Sequence, residues 1–125
     1  MEDAVRVFAC VQFFIIGLSH LLQPQAWVDW FAALRAKGVV GAFADGFVSL
    51  VFGAVIVAFH NVWSDLGVIL TVVGWAQLIK AAVAFVAPQL RLRGLQRAQQ
   101  PWQFRVAGVI SIAFSGVLLY LVTRG

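Results

Sequence analysis

The sequence predicts an all-α integral membrane protein: a four-helix transmembrane bundle with a short interfacial amphipathic helix between the first two spans. Of its 125 residues, 62% are hydrophobic and 11% are charged, whereas about 25% are charged in an average soluble domain. The mean hydropathy is +0.94. A soluble domain of this length leaves a large share of its surface in water, so the composition excludes a soluble fold.

Four apolar runs are long enough to cross a bilayer, which takes about 20 helical residues. A single domain, residues 1–125, contains the predicted spans, which cover residues 4–22, 38–59, 66–87 and 104–122. The first run begins with Glu2 and Asp3 instead of basic residues, so we interpret it as a span and not as a signal peptide. The loop at 60–65 is short and predicts an antiparallel hairpin of the second and third spans.

Residues 25–37 carry the pattern of an amphipathic helix between the first two spans. The apolar stripe follows the spacing i, i+3, i+4 and i+7 and consists of Trp27, Trp30, Phe31 and Leu34. Pro24 suits the start of this helix and Gly38 suits its end. Tryptophan favours the headgroup layer, so we expect the helix to lie at the membrane surface.

Lysine and arginine residues concentrate at one predicted membrane face. That face carries Arg35, Lys37, Arg91, Arg93, Arg97 and Arg105, and three of these fall in a basic loop expected before the fourth span. The opposite face carries only Arg6 and Arg124. Because cytoplasmic loops are rich in Lys and Arg, we expect the basic face in the cytoplasm and both termini outside. Basic residues at span ends contact the lipid bilayer, and the small polar surface excludes a nucleic-acid partner.

Two ionisable side chains, Asp45 and Lys80, fall inside predicted spans, where uncompensated charge is costly. Their depths, counted from the same membrane face, agree within about 2 Å at the helical rise of 1.5 Å per residue. We therefore expect an Asp45–Lys80 ion pair, with His20 and Gln77 in the same polar cluster. Such a pair either fixes the register of the hairpin or belongs to a transport or proton-relay path, and the sequence leaves both interpretations open.

A second polar cluster is expected at the outer surface, where the short loop holds His60, Asn61 and Asp65. A metal site needs three or four converging ligands, so we predict none here. His20 and His60 lie near opposite membrane faces and cannot both ligate one haem. The chain carries no nucleophile-and-base or phosphate-loop motif, so we predict no catalytic residues, no enzyme activity and no resident cofactor.

Two stretches of the central hairpin carry a resemblance. They are residues 58–63 (AFHNVW) and residues 74–80 (GWAQLIK). Together they resemble small uncharacterised bacterial inner-membrane proteins with four helices. The resemblance implies a bacterial inner-membrane location and no established activity, so no functional residues carry over.

Three functions fit these features. The first is an accessory or structural subunit of a membrane complex or homo-oligomer, favoured by the small size and by small-residue helix faces such as Asp45, Ser49 and Gly53. The second is a small transporter or channel that uses the Asp45 and Lys80 cluster. The third is a lipid- or cofactor-binding protein with Trp and Phe side chains between its helices. We expect partners among other membrane subunits or further copies of the chain.

Overall fold

Six helices make up most of the computed structural model, which describes residues 2–97 and 100–124. They are α1 (Glu2–Leu22), α2 (Pro24–Ala36), α3 (Val39–Phe59), α4 (Gly67–Val86), α5 (Pro88–Leu95) and α6 (Pro101–Arg124). Helices α1, α3, α4 and α6 are long and apolar enough to cross a membrane, which confirms the predicted all-α four-helix bundle. Each predicted span agrees with its helix to within three residues at either end.

Each of the three prolines begins a helix. Pro24, Pro88 and Pro101 are the first residues of α2, α5 and α6, where the missing amide N–H costs no helical hydrogen bond. The preceding residues Gln23 and Ala87 leave the helical conformation, with φ of −129° and −134°, because proline disfavours helical geometry in the residue before it. The chain therefore breaks after α1 and after α4, and a short helix follows each break.

The prediction of a basic loop before the fourth span is wrong for residues 88–95. Hydropathy and charge favour a loop there, but these residues form helix α5. The helix has eight residues and ends in a leucine, Leu95, that is only 1% exposed. Nη1 of Arg35, in the last turn of α2, donates a hydrogen bond to the carbonyl oxygen of Leu95 at 2.9 Å. Tertiary contacts therefore hold α5, and a helix this short is not stable by itself.

Helix α2 is present as predicted, and its apolar stripe packs onto the long helices. Leu34 is only 3% exposed, and the ring of Phe31 lies 5.3 Å from that of Phe104 in α6. Gly38 ends the helix with a φ of +62°, a conformation that costs glycine little because it has no Cβ. This sharp turn sends the chain directly into α3.

The four long helices form two close pairs, α1 with α6 and α3 with α4. A Cβ on Gly108 of α6 would lie 2.7 Å from the carbonyl oxygen of Gly17 in α1. A Cβ on Gly53 of α3 would lie 2.6 Å from the backbone nitrogen of Leu78 in α4. Small residues let membrane helices approach closely, so both interfaces depend on the absence of a side chain at these positions.

The two helix pairs meet in an apolar cluster near the end of the bundle that carries the loop at 60–66. Its buried side chains come from all four long helices and are Val5, Ala9, Ile56, Leu70 and Leu118. Helix α2 lies at the other end and contacts α1, α3 and α6. The pairs are thus joined directly at one end and bridged by α2 at the other.

Substitution of Gly108 by alanine tests the close approach of α1 and α6. We expect Gly108→Ala to lower the free energy of unfolding by about 1–3 kcal/mol, because the added methyl group overlaps backbone atoms of α1. Gly116, on the same helix, has no atom within 4 Å of its Cβ position, so Gly116→Ala should leave the free energy of unfolding unchanged or raise it by up to about 1 kcal/mol, because alanine favours a helix more than glycine does. Unfolding in mixed micelles with increasing denaturing detergent measures both, and equal effects would contradict the packing.

Candidate functional site

A partly open cavity of about 300 Å³ lies between the two helix pairs. Side chains of α1, α2, α3 and α4 line it. The apolar part of the wall consists of Phe13, Ile16, Trp27, Trp30, Phe31, Val48 and Phe52. The polar part consists of Gln12, His20, Asp45, Ser49, Gln77 and Lys80. A mainly apolar wall with a few polar groups is typical of small-molecule sites, and this volume lies at their lower limit.

Helix α2 supplies the aromatic wall and is held in place by contacts with α1. The indole of Trp27 stacks on the imidazole of His20, with the ring centroids 4.1 Å apart and the planes at 14°. Nε1 of Trp27 also donates a hydrogen bond to Oγ of Ser19 at 2.8 Å. Nδ1 of His20 lies 2.7 Å from the carbonyl oxygen of Ile16, and because a carbonyl only accepts, Nδ1 carries a proton. These contacts fix the ring of Trp27 against the cavity.

Asp45 lines the cavity and lies between two cations. Its side chain is only 8% exposed, and Nε of Arg91 donates a hydrogen bond to Oδ2 at 2.5 Å. Nζ of Lys80 lies 3.9 Å from Oδ1. The pair of Asp45 and Lys80 expected from their equal depths is therefore present, but Arg91 is the closer partner.

Arg91 is a partner of Asp45 that the sequence did not reveal. In the sequence it is one of several cations in a stretch without helical periodicity. The break at Pro88 lets α5 turn against α3 and α4, which carries the guanidinium group to Asp45. A charge removed from water needs a hydrogen-bonded counter-ion, and Arg91 meets that need for the carboxylate.

His20 and Gln77 line the same cavity as Asp45 and Lys80, so the predicted polar cluster shares one space. Ser49 also lines this cavity, although the sequence indicated only a role in helix packing for it. Ser49 is 2% exposed, and within residues 2–97 and 100–124 its Oγ is the buried side-chain atom that lacks a hydrogen-bond partner. An unsatisfied buried hydroxyl is costly, so a hydrogen-bond acceptor that reached Ser49 would be stabilised there.

The predicted cluster at the outer loop is wrong for His60, which is fully buried. Nε of Arg6 donates a hydrogen bond to Nε2 of His60 at 3.0 Å. Because a guanidinium only donates, the ring proton lies on Nδ1, which is 3.2 Å from Oγ1 of Thr71. Thr71 in turn donates to the carbonyl oxygen of Val62 at 2.7 Å. His60 thus connects α1, α4 and the loop inside the protein, since a buried polar ring needs such partners.

Asn61 and Asp65 remain exposed, but each has a different neighbour. Nε1 of Trp75 donates to Oδ1 of Asn61 at 3.5 Å. Asp65 forms an ion pair with Arg124 at the end of α6, and the hydrogen bond from Arg124 holds the pKa of Asp65 below its usual value. The polar residues of this loop therefore fasten the end of the bundle that carries the loop, instead of forming one site.

Removal of either cation tests their ranking as partners of Asp45. We expect Arg91→Met to lower the free energy of unfolding by about 3–5 kcal/mol, because it deprives a buried carboxylate of its hydrogen-bonded counter-ion. Lys80→Met should cost less, since the Lys80 contact is longer and that side chain is 35% exposed. Arg93→Met, at an exposed position of α5, is the matched control. Unfolding in mixed micelles gives the ranking, and a larger loss for Lys80→Met would contradict it.

Comparisons with known proteins do not assign this cavity to a family. No protein-family model matches the chain, and neither a curated protein nor a solved structure matches it.

Proposed function

We propose that the protein binds a small, mainly apolar molecule within the membrane, in the cavity between its two helix pairs. The observation that carries this proposal is the cavity of about 300 Å³, whose lining combines aromatic rings with a few polar and charged groups. The lining residues of α1, α3 and α4 belong to helices long and apolar enough to span a bilayer. A lipid-soluble ligand would therefore reach the cavity from the hydrocarbon layer.

The packing of the rest of the protein supports this proposal. Protein interiors rarely leave voids larger than a water molecule, because the atoms around a void lose dispersion contacts. Within each pair the helices touch at glycines, although an open groove of about 560 Å³ runs along α1 and α6, with Phe14 and Ile112 among its lining residues. The cavity between the pairs is more enclosed than this groove and is lined by charged and polar side chains as well as by rings, and α2 closes one part of it with Trp27 and Phe31.

The other functions considered for this sequence stay predictions. A transport role requires Asp45 to exchange partners, whereas the short hydrogen bond from Arg91 favours an architectural role for this carboxylate. The role of accessory or structural subunit, in a complex or in a homo-oligomer, is compatible with ligand binding. It needs a protein partner that only the native membrane can provide.

We further propose that the chain lies in a bacterial inner membrane with both termini outside the cytoplasm. The ends of α2 and α5 support this orientation, because they place Lys37, Arg93 and Arg97 at exposed positions on one end of the bundle. The bond from Arg35 to Leu95 holds these two ends together. Basic residues at one face favour the cytoplasmic side.

Saturable photolabelling tests the binding site. A diazirine-bearing alkyl probe should label peptides that line the cavity, and an excess of unlabelled probe should prevent it, since the site holds a fixed number of molecules. Val48→Trp should abolish this saturable label by filling the cavity. Val51→Trp is the matched control, because Val51 is equally exposed on α3 and does not line the cavity. Saturable labelling that survives Val48→Trp, or none in the unmodified protein, would refute the proposal.

Cysteine accessibility tests the orientation. In a Cys10→Ser background, a membrane-impermeant maleimide should label Ser64→Cys in intact cells. It should label Gln96→Cys only after permeabilisation, because the basic end faces the cytoplasm. Both positions are exposed, so the opposite pattern would reverse the proposed topology.

A further inference from the structure

The charges around the cavity do not balance. Asp45 supplies one negative charge, whereas Lys80 and Arg91 supply two positive charges. With all three groups ionised, one positive charge is in excess. Charge is weakly screened in a low-dielectric site, so this excess shapes which molecules the cavity accepts.

The excess charge lies on the cavity side of Asp45. Lys80 lines the cavity, whereas Arg91 is not part of its wall. The contact between Lys80 and Asp45 is 3.9 Å long, too long for a hydrogen bond. An ammonium group has three N–H donors, and none of them forms a hydrogen bond with Asp45. Lys80 is thus available to an acceptor inside the cavity, while Arg91 keeps the carboxylate occupied.

Ser49 is an independent indication of the same polar contact point. It lies one helical turn after Asp45 on α3, about 6 Å further along the helix axis. Ser49 lines the cavity, and its Oγ is buried and lacks a partner among the described residues. A hydroxyl group and an ammonium group on neighbouring helices both donate hydrogen bonds, which matches a ligand oxygen that accepts them.

We propose that the molecule bound here is an amphiphile with a single anionic head, a carboxylate or a phosphate. Lys80 and Ser49 hold the head, and the tail lies along the rings of Phe13, Phe52 and Trp30. An ammonium head would meet the excess positive charge and is disfavoured. A neutral hydroxyl head would satisfy Ser49 but leave the charge of Lys80 uncompensated. This inference rests on the proposed function and assigns the chemical class of its ligand.

Four probes with the same alkyl chain test the inference. They carry a carboxylate, a phosphate, a hydroxyl or an amine head and compete with the photolabel for protein in phosphatidylcholine nanodiscs. We expect at least one anionic probe to compete about tenfold better than the alcohol, and the amine to compete worst. The better of the two anions identifies the head group.

Variants of Lys80 test whether this side chain causes the preference for an anionic head. Lys80→Met should abolish the preference for the anionic probe over the alcohol, whereas Lys80→Arg should keep it. Arg93→Met is the control for loss of a surface charge and should change nothing. Ser49→Ala removes only the hydroxyl group and should weaken the binding of both the anionic probe and the alcohol. It provides a second test of the site if Lys80→Met does not fold.

The outcomes separate the two proposals. If the alcohol competes as well as both anions, or if Lys80→Met keeps the anion preference, the head-group inference is overturned while ligand binding stands. If none of the four probes competes and no saturable label exists, the proposed function fails and the inference fails with it.

Discussion

The ion pair between Asp45 and Arg91 governs the polar half of this structure. It fastens α5 to α3 through a hydrogen bond of 2.5 Å between Nε and Oδ2. A buried carboxylate without a counter-ion is destabilising, so the position of α5 and the burial of Asp45 depend on each other. The pair also leaves Lys80 with only a 3.9 Å contact. The same interaction that stabilises the carboxylate therefore frees the ammonium group beside the cavity.

The apolar half depends on how the two helix pairs are joined. Close glycine contacts hold the helices within each pair. The pairs meet through an apolar cluster and through the Arg6–His60–Thr71 network. At the far end α2 bridges them with bulky rings, and the helices cannot close there. The cavity is the consequence of tight packing at one end and an aromatic spacer at the other.

The sequence predicted the elements that follow from periodicity and hydropathy. The four spans and α2 appear within a few residues of their predicted positions. The Asp45–Lys80 pair followed from equal depth alone, because a regular helical rise converts sequence position into distance. Arg91 escaped prediction since it lies beyond a proline break, where position in the sequence no longer gives position in space. Only a tertiary contact brings α5 against α3.

His60 shows a different limit of sequence interpretation. Its place in a short loop suggested exposure, yet it is fully buried. Two polar residues at matching depths, Arg6 in α1 and Thr71 in α4, were the available signal. The cavity itself has no sequence signature, because it arises from how far apart the helices are held. Aromatic residues line packed cores and binding sites alike.

Native mass spectrometry of the protein extracted from its own membranes, with bound molecules retained, tests the central claim most directly. We expect a reproducible additional mass at a fixed ratio to the chain, carried by a molecule with one acidic head and an apolar tail. A chain that carries no such molecule, or only bilayer lipids in variable number, would contradict the existence of a specific site between the helix pairs.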